Sequence, residues 1–202
     1  MIVIVDYGMG NLGSVLNMLK KLNQNAVISS DVELINSAHK LILPGVGNFQ
    51  KAMQNLTDLN LISILNQKVL VEKIPVLGIC LGMQLLTKRS DEGNVSGLGW
   101  IDAETIKFNL DNYPSLKTPH MGWNNVDFKG DHLISEGLEN SRFYFVHSYF
   151  VKCSNISNVL STTIYGEEFH SGIFSDNIYG VQFHPEKSHK FGFKLLTNFC
   201  NL

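Results

Sequence analysis

Short apolar runs that alternate with helical segments constrain the fold of this chain more than any other feature of its sequence. In the first half, apolar residues across 12–22 recur at the spacing of one helix face. The apolar runs show no apolar–polar alternation, which is typical of parallel strands buried on both faces. Strands are predicted at residues 2–5, 26–28, 40–43 and 74–79. We therefore expect an α/β fold with three layers, a mostly parallel mixed sheet flanked by helices.

The second half of the chain has a different sequence pattern. Its runs are aromatic and β-branched, and turn residues separate them, which predicts strands and hairpins at residues 143–151, 159–165 and 179–183. Helical patterns cover residues 49–69, 81–88 and 189–201. The chain has no linker, repeat or low-complexity tract, and 202 residues suffice for one large core. The sequence predicts a single domain over residues 1–202.

Composition and charge exclude several classes of protein. A hydrophobic content of 44% and a net charge of −2, without any block of Lys or Arg, indicate neither a nucleic-acid nor a membrane partner. The run at 2–5 is interrupted by Asp6 and lacks a basic segment before it, so it does not resemble a signal peptide. Three cysteines at unrelated spacings fit neither a disulfide framework nor a metal site. These features predict a cytoplasmic protein with no bound metal.

The N-terminal letters GMGNLG match the dinucleotide-binding pattern G-x-G-x-x-G through Gly8, Gly10 and Gly13. A dinucleotide-binding protein is therefore one hypothesis, and it predicts saturable binding of NAD or FAD. The pattern requires an acidic residue about 20 positions later at a strand end. Asp31 has that spacing, but it follows two serines and is more typical of a helix cap. The motif alone favours a strand-to-helix turn.

The stretch VLGICLGMQLL carries a stronger signal. A strand runs into Gly78-Ile79-Cys80-Leu81-Gly82 and a helix starts at once, which is the cysteine form of a nucleophile elbow. A cysteine in an apolar run is more often a small buried hydrophobe. Here the flanking glycines permit a sharp turn, and the backbone N–H of Leu81 would face a developing oxyanion. We interpret Cys80 as a nucleophile.

A base for this nucleophile is predicted near the C-terminus. A strand ends at His184, and Pro185 and Glu186 follow. In an extended segment residues i and i+2 point to the same side, so the Glu186 carboxylate can orient the imidazole and stabilise its charged form. A complete set of nucleophile, base and orienting acid argues against a catalytically silent scaffold. The sequence predicts a Cys80–His184–Glu186 triad.

Two motifs together resemble a known family. GICLGMQ at 78–84 and FHPE at 183–186 are similar to the signature pair of the class I, triad-type glutamine amidotransferases. The segments DYGMGN, PGVGNF, PHMGWN, FYFVHSY and GVQFHPEKS stand in the order typical of glutaminase subunits of imidazole glycerol phosphate synthase. The resemblance extends over nearly the whole chain. It implies a flavodoxin-like fold, no cofactor, and L-glutamine as the substrate.

The resemblance also implies a reaction. Cys80 would attack the side-chain amide of glutamine, and His184 would protonate the departing ammonia. Water activated by His184 would then hydrolyse the thioester and release glutamate. The ammonia would pass to a synthase or cyclase subunit, the partner in a heterodimer.

Further site residues are implied by the same resemblance. The loop at 44–47 is similar to the oxyanion-stabilising loop of the family, and Val46 or Gly47 would supply the second donor beside Leu81. Glutamine would be held by Gln84 and by the backbone around Ser148 and Tyr149.

Four residues are implied at the interface with the partner. Met121 and Trp123 lie in a segment that resembles the family's interface loop, and Asn11 and Lys187 match positions near that interface. The alternative for Trp123 is core packing, because Trp is commonly buried. Exposed beside Met121, its side chain would suit an interface hot spot.

One segment departs from the pattern and leaves the nitrogen acceptor open. After Glu186 the chain reads KSHKFG, whereas members of the histidine pathway more often have a glycine soon after the serine. The version seen here is similar to paralogues whose synthase-like partner amidates a nucleotide-linked sugar for surface polysaccharide. Four other reactive side chains receive no role from the sequence: His120, His147, Cys153 and Cys200.

Overall fold

A computed structural model describes the whole chain, Met1–Leu202. Its strands are β1 (Ile2–Val5), β2 (Ala26–Ser29), β3 (Lys40–Gly45), β4 (Val76–Cys80), β5 (Arg89–Ser90), β6 (Val95–Ser96), β7 (Ala103–Lys107), β8 (His120–Asn125), β9 (Asp127–Phe128), β10 (Arg142–His147), β11 (Tyr149–Cys153), β12 (Val159–Tyr165), β13 (Glu167–Ser175) and β14 (Ile178–Val181).

The α-helices are α1 (Leu12–Lys21), α2 (Val32–Asn36), α3 (Phe49–Asp58), α4 (Leu61–Asn66), α5 (Leu81–Leu85) and α6 (His189–Cys200). A π-helical turn follows α4 at Gln67–Val71, and 3-10 turns occur at Leu133–Ser135, Ile156–Asn158 and Pro185–Lys187. None of the helices combines the length and apolar composition needed to cross a bilayer.

One large sheet organises the molecule. Its strand order is β2-β1-β3-β4-β14-β13-β11-β7-β5-β6, with β12 and β9 attached beside β13. The first five strands in this order are parallel, and mostly antiparallel strands continue the sheet from β13 onward. Strands β8 and β10 form a separate antiparallel pair. The predicted α/β fold with a mixed sheet flanked by helices is confirmed.

The sheet has a hydrophobic core on each face. Val3 and Val5 of β1 pack into one core with α2, α3 and α4, whereas Ile2 and Ile4 pack into the other with α1 and α6. Side chains alternate across a strand, so a run that is apolar at every position serves both cores. This is the physical reason why β1 shows no apolar–polar alternation, and it produces the three layers.

The continuous helix predicted over 49–69 is wrong, because the chain turns between α3 and α4. Asn60 adopts a left-handed conformation with φ 55°. Leu56 and Leu61 are both fully buried in the same core. In an uninterrupted helix, positions five apart lie about 140° apart around the axis, so only one of them would face the core. The turn at Asn60, a residue that tolerates this conformation, brings both leucines inward.

The single run predicted over 143–151 is also divided. Phe143 and Phe145 pack into the same core as Phe150, whereas Val151 and Cys153 pack into the other core, so the alternation changes phase between His147 and Phe150. A one-residue shift moves side chains to the opposite face of a strand. β10 accordingly pairs with β8 and β11 pairs with β7. Ser148 lies at the junction between the two sheets.

Glycines bring backbone segments together around the end of β4. A Cβ atom at Gly82 would overlap the carbonyl oxygen of Leu43, so α5 packs directly against the backbone of β3. Gly10 has φ +93°, and a Cβ there would lie 3.1 Å from Cα of Gly45. Gly13, by contrast, is exposed with no atom within 4 Å of a Cβ position. In a dinucleotide fingerprint the third glycine serves close helix–strand packing, which Gly13 does not provide.

We predict that Gly82→Ala lowers the free energy of unfolding by about 3 kcal/mol or more, because the added methyl group displaces β3 or α5. Gly13→Ala is the matched control, and it should leave stability unchanged or raise it by up to about 1 kcal/mol. Urea unfolding followed by circular dichroism measures both. Equal unfolding midpoints for the two variants would contradict this account of α5.

Candidate active site

Cys80 ends β4 and immediately precedes α5. Its backbone has φ 54° and ψ −109°, a region that non-glycine residues rarely occupy. Such a conformation costs on the order of 1–3 kcal/mol and persists only where the surroundings impose it. Here the imposing contact is the glycine-mediated packing of α5, since a Cβ at Gly78 would lie 2.7 Å from the carbonyl oxygen of Gly82. The predicted sharp strand-to-helix turn is present.

His184 and Glu186 form a buried pair near this turn. Nδ1 of His184 is 2.7 Å from Oε1 of Glu186, and the exposed fractions of the two side chains are 1% and 4%. The segment is not extended as expected, because Pro185–Lys187 forms a 3-10 turn. The backbone is held from both sides: the N–H of His184 donates to the Tyr144 carbonyl at 2.9 Å, and Ser188 Oγ donates to the His184 carbonyl at 2.6 Å.

The charges around His184 favour the imidazolium. Burial alone would lower its pKa, but Cys80 and Glu186 outweigh burial and raise the pKa to about 10. Because Nδ1 is engaged by Glu186, Nε2 is the nitrogen available for proton exchange. Nε2 is buried and forms no hydrogen bond. Cys80 lies close enough to raise that pKa, yet Nε2 makes no closed hydrogen bond to the sulfur, as is common before substrate binds.

A cavity of about 330 Å³ opens at the Cys80 turn. Every oxyanion and glutamine-holding residue expected from the sequence lies on its wall, although these residues come from three separate segments. The lining residues are Val46, Gly47, Cys80, Leu81, Gln84, Glu92, Pro119, Val146, His147, Ser148 and Tyr149. A larger cavity, of about 650 Å³, lies at residues 126–140 and contains none of them. The chemistry therefore concentrates at the smaller cavity.

The loop at 44–47 reaches the cavity beside Leu81. The Tyr7 hydroxyl donates to the Pro44 carbonyl at 2.7 Å and anchors the start of the loop. Gly47 has φ +116°, and a Cβ there would lie 2.8 Å from Cε of Met9. Val46 is 41% exposed. The loop thus stands where a second oxyanion donor is needed, and its role stays a prediction.

The hydrogen bonds of Gln84 refine its expected role. Nε2 of Gln84 donates to the Tyr149 carbonyl at 3.0 Å and to Oε1 of Gln182 at 3.1 Å. Both amide hydrogens are therefore used within the protein, and only Oε1 remains for a ligand. The Tyr149 carbonyl is also occupied, since it accepts from Gln84 and from Nδ1 of His147. Any contact that Tyr149 makes with a ligand would involve other atoms.

Three residues of the site were missed by sequence reasoning. Glu92 supplies the only carboxylate on the cavity wall, and its Oε2 accepts from the Phe49 N–H at 2.7 Å. Gln182 donates from Nε2 to the Cys80 sulfur at 3.6 Å. His147 lines the cavity and contacts His120. Glu92 carries no motif, but Gln182 stands two residues before His184 and so shares its side of the strand, a signal that could have been used.

His120 and His147 form a buried pair across β8 and β10. Nδ1 of His147 lies 2.7 Å from the Tyr149 carbonyl, so it must carry a proton, and Nε2 is then an acceptor. Nδ1 of His120 donates to that Nε2 at 3.0 Å, and Nε2 of His120 accepts from Asn124 at 3.3 Å. Burial lowers the pKa of His120 to about 4 and that of His147 to about 3. Both rings are neutral at pH 7.

The expected interface residues lie on the surface. Met121 is 61% and Trp123 42% exposed, so core packing of Trp123 is excluded. The Trp123 ring stacks on His189 with centroids 5.6 Å apart, and Lys187 Nζ lies 5.6 Å from the Tyr144 ring centroid. Lys187 is exposed.

Asn11 is the remaining expected interface residue, and it too is exposed. Its side chain caps α1 by accepting from the Ser14 N–H at 3.4 Å, which gives Asn11 a structural role as well. No cluster of three or more His, Cys, Asp or Glu side chains is arranged to hold a metal ion.

The buried histidine pair predicts acid sensitivity. An unfolded histidine titrates near pH 6.5, so between pH 6.5 and about 4 the unfolded chain binds protons that the folded one does not. The contribution of the pair to stability is fully present above pH 6.5, and each of the two histidines should remove about 2 kcal/mol of it between pH 7 and pH 5. His147→Gln removes one titrating ring and should show a shallower fall. Urea unfolding at both pH values tests this, and identical pH dependence in the variant would contradict it.

The comparisons with known proteins agree on one family. The family model described as glutamine amidotransferase class-I matches residues 3–201. The chain is 60% identical over 200 residues to imidazole glycerol phosphate synthase subunit HisH 2 of Methanococcus maripaludis, covering 98% of each sequence. It is 48% identical over 203 residues to HisH 2 of Pseudomonas aeruginosa, covering 100% of each.

Solved structures give the same result at the level of the fold. A structure described as a glutamine amidotransferase aligns with a TM-score of 0.78 at 17% identity, covering 100% of this chain and 98% of that one. At this identity the likeness concerns the fold alone, whereas the family model and the full-length relatives identify the family. The chain belongs to the class I glutamine amidotransferases.

Proposed function

We propose that this chain is the glutaminase subunit of imidazole glycerol phosphate synthase. It hydrolyses glutamine to glutamate and ammonia through a cysteine thioester and delivers the ammonia to a cyclase partner in histidine biosynthesis. The observation that carries this proposal is the strained turn that sets Cys80 in the cavity wall, with the buried His184–Glu186 pair close enough to the sulfur for Cys80 to raise the pKa of His184. Full-length relatives named HisH support the pathway.

The reaction begins with the sulfur of Cys80. With His184 charged, the thiolate attacks the side-chain amide carbon of glutamine, and the carbonyl oxygen becomes an oxyanion. The N–H of Leu81 and one from Val46 or Gly47 stabilise that charge. Nε2 of His184 then gives its proton to the leaving nitrogen, and ammonia departs. The raised pKa of His184, about 10, keeps this proton available at neutral pH.

The thioester is resolved by water. After releasing its proton, neutral His184 accepts a proton from the attacking water, and Glu186 stabilises the imidazolium that forms again. Collapse of the second tetrahedral intermediate breaks the carbon–sulfur bond and releases glutamate. Glu186 acts by orienting His184.

Recognition of glutamine is assigned to the opposite wall of the cavity. The Glu92 carboxylate is the charge that the α-ammonium group requires, and Oε1 of Gln84 is a further acceptor. The backbone around Ser148 and Tyr149 closes the cavity from the β11 side. A carboxylate in the same cavity as the sulfur would select a free amino acid over a protein-bound glutamine, whose nitrogen is an uncharged amide.

The partner docks on the face that carries Trp123. Met121, Trp123 and Lys187 provide an exposed aromatic and basic surface, and Asn11 is exposed at the start of α1. We place this heterodimer in the cytoplasm, where the three free cysteines stay reduced. Residues 1–202 act as one glutaminase domain.

The alternative is a different acceptor for the ammonia, and one observation at the docking face favours it. His189, part of the divergent KSHKFG segment, has φ +47° and stacks flat on Trp123 with an interplanar angle of 3°. The divergent segment therefore contributes to the proposed docking face, where it would select a partner that amidates a nucleotide-linked sugar. The glutaminase chemistry is the same in both cases. Offering each acceptor to the purified complex distinguishes them.

We predict that Cys80→Ala lowers glutamate release at least ~10⁴-fold with partner and acceptor present, because the nucleophile is lost. Cys153→Ala is the matched control, since Cys153 is another buried thiol and does not line the cavity, and it should retain wild-type turnover. Coupled detection of glutamate measures both. A Cys80→Ala protein that kept most of its turnover would exclude the thioester mechanism.

We predict that Trp123→Ala weakens binding of the cyclase partner by about tenfold or more, as truncation of an aromatic anchor does. Ile156, which is 76% exposed on a different surface, provides the control in Ile156→Ala. Isothermal titration calorimetry gives both affinities. Equal affinities would place the partner on another face.

A further inference from the structure

Gln182 is a buried polar residue next to the nucleophile. It follows β14 directly, its side chain has no exposed surface, and its N–H donates to the Ser171 carbonyl at 2.8 Å. A buried amide destabilises the fold unless its polar atoms are hydrogen-bonded. Those of Gln182 are satisfied by only two side chains, Gln84 at Oε1 and Cys80 at Nε2.

The orientation of this amide follows from its neighbours. The Tyr149 carbonyl can only accept, so the atom of Gln84 that faces it must be the nitrogen. That same nitrogen lies 3.1 Å from Gln182, which must then present its oxygen to Gln84. The nitrogen of Gln182 is left facing the Cys80 sulfur at 3.6 Å. The carbonyl of Tyr149 thus determines which atom of Gln182 contacts the nucleophile.

The sulfur has one other hydrogen-bond partner, and the two have opposite effects. In the thiol form, the S–H of Cys80 donates to the Val146 carbonyl at 3.9 Å. Once the proton has left, that carbonyl oxygen repels the anionic sulfur, whereas the N–H of Gln182 attracts it. A hydrogen bond to a charged acceptor is roughly twice as strong as one between neutral groups. The arrangement therefore favours the thiolate through Gln182.

We propose that Gln182 is a further catalytic residue, whose side-chain amide donates to the Cys80 thiolate, stabilises it and holds it towards the substrate. Gln84 links this donor to the Tyr149 carbonyl, so the wall that receives glutamine also orients the group that activates the sulfur. The proposal rests on the proposed role of Cys80 as the nucleophile. Its alternative is a purely structural amide that fills space beside β4.

The test compares two near-isosteric variants, Gln182→Met and Gln182→Glu. The full-length chain is treated with iodoacetamide over a range of pH, and alkylation of the Cys80 peptide is followed by mass spectrometry, which separates it from Cys153 and Cys200. Gln182→Met removes the donor and should raise the pH of half-maximal alkylation by about one unit or more. Gln182→Glu places a carboxylate oxygen against the sulfur and should raise it further.

Ser171→Ala is the control, because Ser171 is equally buried on the adjacent strand and its hydroxyl contacts Ser161 and Thr163 but not the sulfur. It should keep the wild-type midpoint. Thermal unfolding establishes that each variant is folded. A folded Gln182→Met protein with the wild-type midpoint would overturn the proposal.

A second measurement needs no variant of Gln182. The side-chain amide protons of Gln182, followed by NMR, should shift as Cys80 ionises, and the shift should vanish in Cys80→Ala. Amide signals that stay constant across the titration would overturn the proposal even if both Gln182 variants fail to fold. Glutamate release by the unmodified protein with its partner is measured separately, so a failure of the glutaminase assignment is distinguishable from a failure of the role of Gln182.

Discussion

The direct packing of α5 on the backbone of β3 is the contact on which the rest of the site depends. It requires glycine at position 82, where any side chain would overlap the Leu43 carbonyl. With the helix held this close, the chain has no room for a gradual turn, and Cys80 adopts its strained backbone conformation. The same contact sets Leu81 beside the 44–47 loop. A steric constraint between two backbones therefore positions both the nucleophile and the groups expected to stabilise the oxyanion.

Buried polar side chains then connect this turn to the other segments. Glu186 and His184 form one pair, Gln84 and Gln182 a second, and His120 and His147 a third. The hydrogen bond within each pair determines how its two side chains are oriented, because breaking it would leave further buried polar atoms unpaired. The consequence for chemistry is that the hydrogen-bonding groups around the cavity are oriented before glutamine arrives. Preorganised donors of this kind avoid reorganisation during the reaction.

Much of this could be predicted from the sequence, for physical reasons that particular residues illustrate. Strands buried on both faces, such as β1, are recognisable in the sequence as continuous apolar runs. The elbow at Cys80 and the His184–Glu186 pair are local, because glycines two positions away and a neighbouring acid define them. The predictions of one helix over 49–69 and one strand over 143–151 are wrong for the opposite reason. Their breaks at Asn60 and Ser148 depend on which core each side chain enters, and periodicity within a segment does not specify that.

The sequence alone is sufficient to predict the alternation of strands and helices in the first half, the sharp turn at Cys80, and the family to which the chain belongs. All three can be inferred from short sequence segments, without knowledge of the residues that surround them in the fold. Only the tertiary structure decided that Glu92 and His147 reach the cavity, that Trp123 is exposed, and that the amide of Gln182 faces the sulfur. These facts join residues up to 102 positions apart, as Cys80 and Gln182 are. Contacts of that kind arise when strands assemble into one sheet, and no local pattern encodes them.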